Sequence, residues 1–297
     1  MAPTQDLQQK VCQRFGWSLV LSKNDNGTWR ADVVMGLGEA NQRTFVTESS
    51  FEEDKDGKAA VSELVLEELA AEIAKREALP TKELVQVFES THGKLELLDS
   101  KNPTTWKRFW NDPPSVVGID TEGNSISPPV LIQVSTNDYA ILETPRRTLS
   151  DDLMRLLQDD SITKVFCDNF AHKDKKCLGL PVLKGDPAAY KTPPIVDLES
   201  LAMDCLGPVK TPRGLGRIVA LTMPELQVRI EKPKAAKGDI KARFANIGRF
   251  TLIEQGKAKP LRGLSDLKPK EQQYAALDAW YTLQAYRRIQ KTTNTLG

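Results

Sequence analysis

Apolar positions change period several times along the chain, and each change marks an element. TQDLQQKVCQRFGW places Leu7, Val11 and Phe15 four residues apart, the spacing of one helical face. SLVLS and TWRADVV are β-rich runs on either side of Asn24-Asp25-Asn26-Gly27. That tetrapeptide predicts a hairpin turn, because glycine tolerates positive φ and asparagine and aspartate accept it. QRTFVTE is a third alternating run, and Asp54 to Gly57 then breaks the pattern. Beyond the break, GKAAVSELVLEELAAEIAKRE predicts an amphipathic helix, with Ala60, Leu64, Leu66, Leu69 and Ile73 at helical spacing and Pro80 at its end. Residues 81–113 read as a linker and the start of a second domain. ELVQVFES and KLELLDS are candidate strands there, and TTWKRFW is a short helix stopped by Asp112-Pro113-Pro114.

From Ser115 the strand signals are stronger. VVGID, VLIQVS and YAILE are short apolar runs bounded by Gly, Asn and Pro. The segment LSDDLMRLLQDD predicts a helix, KVFC a strand, and the residues near Lys173–Leu178 another helix. DLESLAMDCL reads as a helix with Asp197 as its N-cap. Residues from about 207 to 265 read as irregular and basic. A last helix is expected over about 270–290, with Tyr274, Leu277, Tyr281 and Leu283 on its apolar faces. A short meander followed by β–α alternation predicts an α/β protein: a mixed sheet flanked by helices, preceded by a small α-β-β-β-α domain. The expected division is residues 1–80, a connecting stretch 81–113, and a second domain 114–297.

Composition narrows the chemistry. No apolar run approaches the roughly 18–20 residues of a membrane helix, and MAPTQDLQQK lacks the basic-then-apolar pattern of a secretory signal. The four cysteines form no CxxC pair and read as reduced, intracellular thiols. Only two histidines are present, which excludes a His-rich zinc site and most histidine acid–base chemistry. The net charge of +1 hides an asymmetry. Residues 1–80 hold 9 basic and 14 acidic residues, whereas 207–262 hold 13 basic and 4 acidic. The basic stretch is either a phosphate-binding surface or a solvated loop.

Carboxylates are then the chemistry to follow. In Val116-Val117-Gly118-Ile119-Asp120-Thr121-Glu122-Gly123, strand alternation sends Asp120 and Glu122 to the same side. Two such carboxylates repel unless a cation sits between them, and oxygen-only ligands suit Mg²⁺ or Mn²⁺ rather than zinc. A further acid, Asp174, follows Glu122 by 52 residues, early in a helix that follows a strand. Asp168 competes with it for the same role. In Gln273-Tyr274-Ala275-Ala276-Leu277-Asp278, Tyr274 and Asp278 are four apart and share a helical face.

These three blocks together resemble the DEDDy branch of 3′–5′ exonucleases, the RNase-D-like members of the DnaQ/RNase-H-like superfamily. GIDTEG, KVFCDNFAHKDKKCL and YAALDA carry the resemblance, which covers roughly residues 82–292. Tyr274 places the chain in the tyrosine subclass; the sister subclass has histidine where Gln273 stands. KVFCDNF…D most resembles the subgroup of Egalitarian-type and exonuclease-domain-containing proteins. The resemblance implies an RNase-H-like sheet and two divalent cations, Mg²⁺ or Mn²⁺. It implies that Asp120 bridges them, Glu122 and Asp278 hold the one that activates water, Asp174 contacts the second, and Tyr274 orients the water. It also implies release of nucleoside 5′-monophosphates from single-stranded 3′ ends. Substrate contacts are expected from Lys173 and, in the basic stretch, from Lys241, Arg243 and Arg249 around Phe244 and Phe250.

The order helix, three strands, helix over residues 4–77 resembles a double-stranded-RNA-binding domain. Where that family opens its second helix with a lysine cluster, only Lys55 and Lys58 stand here, and the hairpin lacks Gly-Pro-x-His. The module therefore reads as a duplex-RNA binder or as a unit for protein contact or self-association. RNA is favoured over DNA as substrate chiefly because of this module. The alternatives to an exonuclease acting on RNA are a catalytically silent RNA scaffold and a DNA repair exonuclease.

Overall fold

The computed structural model describes residues 3–12, 15, 17–37, 41–78, 95–122, 129–145, 148–167, 178, 194–206, 214–223, 261 and 263–295. It forms two compact units. One gathers Met1–Val87 with Leu201–Lys232 and Arg287–Gly297; the other gathers Phe88–Ser200 with Pro233–Tyr286.

In the first unit, a helical turn α1 (Pro3–Gln5) runs into a π-helical segment (Asp6–Cys12). Strands β1 (Ser18–Lys23), β2 (Trp29–Val34) and β3 (Gln42–Val46) form an antiparallel meander in sequence order. The expected hairpin turn is present, with Gly27 N donating to the Asn24 carbonyl at 2.9 Å. Helices α2 (Asp54–Glu68) and α3 (Ala70–Glu77) follow. The helix thus begins three residues before Gly57, and the expected break at Asp54–Gly57 is its first turn. Asp54 and Asp56 favour that position because they oppose the positive end of the helix dipole. Leu7, Phe15, Trp17, Trp29, Ala31, Val33, Val61 and Val65 make the core of this unit.

The second unit is built on a six-stranded sheet in the order β4-β7-β6-β5-β8-β9. Its strands are β4 (Glu96–Asp99), β5 (Val116–Glu122), β6 (Leu131–Ser135), β7 (Tyr139–Glu143), β8 (Thr163–Phe166) and β9 (Ile195–Asp197). Only β6 runs against its neighbours, so the sheet is mixed. Helices α4 (Pro103–Asn111) and α5 (Asp151–Gln158) cover one face. Trp106, Phe109, Leu153 and Leu156 pack there against Val117, Ile119, Ile132, Val134 and Ile141. The sheet is mixed and flanked by helices, as the sequence predicts.

Helices α6 (Leu198–Leu206), α7 (Leu215–Thr222) and α8 (Pro269–Thr295) complete the described elements, with a 3₁₀ turn at Leu264–Asp266. The finding at α7 differs from the irregular basic stretch expected over 207–265. Its segment LGRIVALT is apolar enough to bury Ile218 to Thr222. No helix among the described residues is long and apolar enough to cross a membrane.

Candidate active site

The side chains of Asp120 and Glu122 leave β5 on the face opposite Val117 and Ile119, and Gly118 belongs to that same face. Helix α8 lies over that face. A Cβ at Gly118 would overlap the Ala279 carbonyl oxygen and would stand 3.0 Å from the Leu283 Cβ and amide nitrogen. Any larger residue would lift the helix off the strand. The absent side chain is what brings Asp278, one residue before Ala279, down to the carboxylates of β5.

Several contacts set the register of α8. Pro269 starts the helix, where its missing N–H costs nothing. Glu271, itself buried, accepts from the Lys268 amide at 2.7 Å, half of a capping box. Gln272 Nε2 donates to the Leu264 and Leu267 carbonyls at 2.9 and 3.1 Å. Further along, Trp280 Nε1 donates to the Asn137 carbonyl at 3.0 Å, and Gln284 Nε2 to Asn137 Oδ1 at 3.2 Å. The helix is therefore tied both before the site and at the β6–β7 turn.

The result is one cluster. Carboxylate oxygens of Asp120, Glu122 and Asp278 lie within 4.8 Å of one another, and all three residues are half-buried. Among the described residues this is the one group of three or more His, Cys, Asp and Glu side chains close enough to share an ion. Three carboxylates this close repel strongly where water is partly excluded. An all-oxygen donor set fits a hard divalent cation, which would relieve that repulsion. Tyr274 sits on α8 one turn before Asp278, also half-buried.

The negative field reaches the end of β8. The Cys167 thiol is pushed well above its ordinary range, first by burial and then by the carboxylates of Glu199, Asp197, Asp120 and Asp278. Asp197 caps α6 as expected, accepting from the Ser200 amide at 3.0 Å. Glu199 is almost fully buried, and the sequence reading assigned it no role. The same holds for Gln133, fully buried on the β6 register position opposite Asp120. A lone glutamine inside the apolar run VLIQVS is the signal that points to it.

Of the expected site residues, the structure brings together Asp120, Glu122 and Asp278, with Tyr274 on the same helix as Asp278. Asp174, its competitor Asp168, Lys173, and the basic residues Lys241, Arg243 and Arg249 lie outside the described residues.

The 3′–5′ exonuclease family matches the chain over residues 97–294, more than half of its length, and the chain belongs to that family. Among solved structures it is similar to Escherichia coli RNase D, described as an exoribonuclease involved in structured RNA processing. That pair is 18% identical with a TM-score of 0.43, over 68% of this chain. The match spans 46% of RNase D, less than half of it. Brucella melitensis NrnC is 19% identical, with a TM-score of 0.43, over 68% of this chain and 82% of that one. The catalytic core of RRP6 from Trypanosoma brucei is 16% identical, with a TM-score of 0.40, over 86% and 58%. No curated protein matches the sequence.

Proposed function

We propose that the chain is a metal-dependent 3′–5′ exonuclease acting on single-stranded nucleic-acid ends, with release of nucleoside 5′-monophosphates. The observation that carries this is the convergence of Asp120, Glu122 and Asp278 within 4.8 Å, in a chain that belongs to the exonuclease family. Asp120, Glu122 and Asp278 would hold divalent cations, Mg²⁺ or Mn²⁺, with Asp174 as the fourth carboxylate. When bound, two such cations stabilise both the attacking and the leaving oxygen of an in-line phosphoryl displacement. The chain itself supplies rigid placement of three acids from two elements that pack backbone to strand. The Tyr274 hydroxyl, one helical turn from Asp278, orients the attacking water. Lys173, Lys241, Arg243 and Arg249 are assigned to the substrate's phosphates.

For the module of residues 1–80 we propose protein contact or self-association rather than duplex binding. Its Lys58 ammonium lies 5.2 Å from the Trp29 ring centroid, turned onto the module's own core. The helix start beside it is acidic, and Lys23 bridges to Asp54 at 3.3 Å.

Digestion of 5′-labelled single-stranded RNA, single-stranded DNA and the matching duplexes tests the enzyme. A ladder shortening from the 3′ end with Mg²⁺ or Mn²⁺, lost with EDTA and in Asp120→Ala, is expected. Binding without any ladder would make the protein a scaffold. A gel shift of blunt RNA duplex by Asp120→Ala at micromolar protein would overturn the reading of the N-terminal module.

A further inference from the structure

The face of the sheet that carries the acids also carries an amide. Gln133 on β6 pairs with Asp120 on β5 in the antiparallel register. Both side chains therefore leave the sheet on the α8 side, with Cβ atoms about 5 Å apart. Gln133 is 0% exposed, and among the described residues neither its Oε1 nor its Nε2 has a hydrogen-bond partner. Its neighbour across the other ladder is Leu142, which offers none. A buried amide with nothing to bond is unfavourable, and an apolar side chain of the same size would fit this position better in the cation-free protein. The amide gains a function only if the polar group beside it changes state.

We infer that Gln133 is a positioning residue for the cation site: its Nε2–H donates to the Asp120 carboxylate when that carboxylate holds a cation. The inference rests on the reading of Asp120, Glu122 and Asp278 as a metal site. A donor behind a ligating carboxylate fixes its orientation and leaves the other oxygen to the metal; losing such a partner typically weakens metal binding about 10–100-fold. The chemistry also has a sign that a structural role would not. Removing an unbonded amide leaves the cation-free fold as stable as before, or more so, while the same change weakens the metal site.

The test uses the full chain with Gln133→Met, which keeps the length and lacks the donor, and Gln133→Leu as a second packing. Melting temperature is measured in EDTA, and Mn²⁺ affinity by electron paramagnetic resonance of the free ion, with no substrate present. The expected result is a melting temperature equal to or above wild type in both variants, with Mn²⁺ affinity reduced about tenfold or more. Wild-type Mn²⁺ affinity in both variants would overturn the role of Gln133. So would a lowered melting temperature, because it would mean that the amide already has partners in the cation-free fold. Asp120→Asn separates the two readings: if it binds Mn²⁺ as wild type does, the metal site itself is wrong.

Discussion

Gly57 and Gly118 do the same steric work in the two compact units, with different outcomes. At Gly57 a helix rests on the Trp29 ring, and an added Cβ would overlap the ring's Cδ1 and Nε1. At Gly118 a strand rests under the backbone of α8, and an added Cβ would overlap the Ala279 carbonyl. Around Gly57 the neighbours are Val61, Val65, Trp29 and Ala31, so close approach makes a core. Around Gly118 the neighbours on the same face are Asp120, Glu122 and Asp278, so close approach makes a cluster of charge. Close packing by itself is neutral; the residues one or two positions away decide whether it yields stability or chemistry.

Gly118→Ala is the largest way to break the comparison. It should displace α8 by a fraction of an ångström to an ångström, lower exonuclease activity about 100-fold or more, and cost about 1–3 kcal/mol of stability. Unchanged kcat in a labelled-RNA assay would mean that the helix can absorb the methyl. Gly57→Ala should be milder. Helix propensity favours alanine by about 1 kcal/mol, and overpacking against Trp29 opposes it by about 1–3 kcal/mol. The net expectation is a loss of about 0–2 kcal/mol by these two terms in urea unfolding, with Mn²⁺ affinity unaltered. A stabilised variant would show that the ring moves freely.

Two lysines sharpen the contrast further. Lys164 on β8 is fully buried and donates to the Asp159 carbonyl. Burial pushes its ammonium down to about 8, with Asp159 and Asp160 pulling the other way. Between pH 8 and about 10.5 the unfolded chain then binds more protons at this lysine than the folded chain does, so stability rises with pH across that window. Wild type minus Lys164→Met, in urea unfolding at each pH, should show a rise of about 1–2 kcal/mol after allowing for screening. A flat difference would mean that the buried ammonium is fully compensated. Lys58, lying over an aromatic face, should matter least: Lys58→Ala should cost about 0.5–1 kcal/mol by thermal unfolding. A larger loss would mean that its methylenes, rather than its charge, cover Trp29.

What could be read in advance, and what could not, follows from element length and from distance along the chain. VVGID, VLIQVS and YAILE were legible because strands buried on both faces are continuous apolar runs; all of β6 and β7 is buried. The three-residue strand Ile195–Asp197 was not, since it is too short to show a period and is a strand only through its pairing with β8. Helix α7 was hidden by the charge of the residues around it, although LGRIVALT alone is apolar. The start of α2 was misplaced because Asp54-Lys55-Asp56-Gly57 reads as a breaker, whereas two acids in a first turn and a glycine under a tryptophan suit a helix.

For the site, local spacing sufficed to put Asp120 and Glu122 on one side of a strand and Tyr274 and Asp278 on one face of a helix, because strand and helix periods are properties of the backbone itself. That Asp278 would lie within 4.8 Å of two acids more than 150 residues earlier, and that Gln133 would be sealed beside Asp120 with its amide unbonded among the described residues, depended on how α8 packs on the sheet. Periodicity is written into consecutive residues. Close approach depends on the absence of an atom at Gly118 and the position of a carbonyl at Ala279, and only the folded chain sets those two side by side.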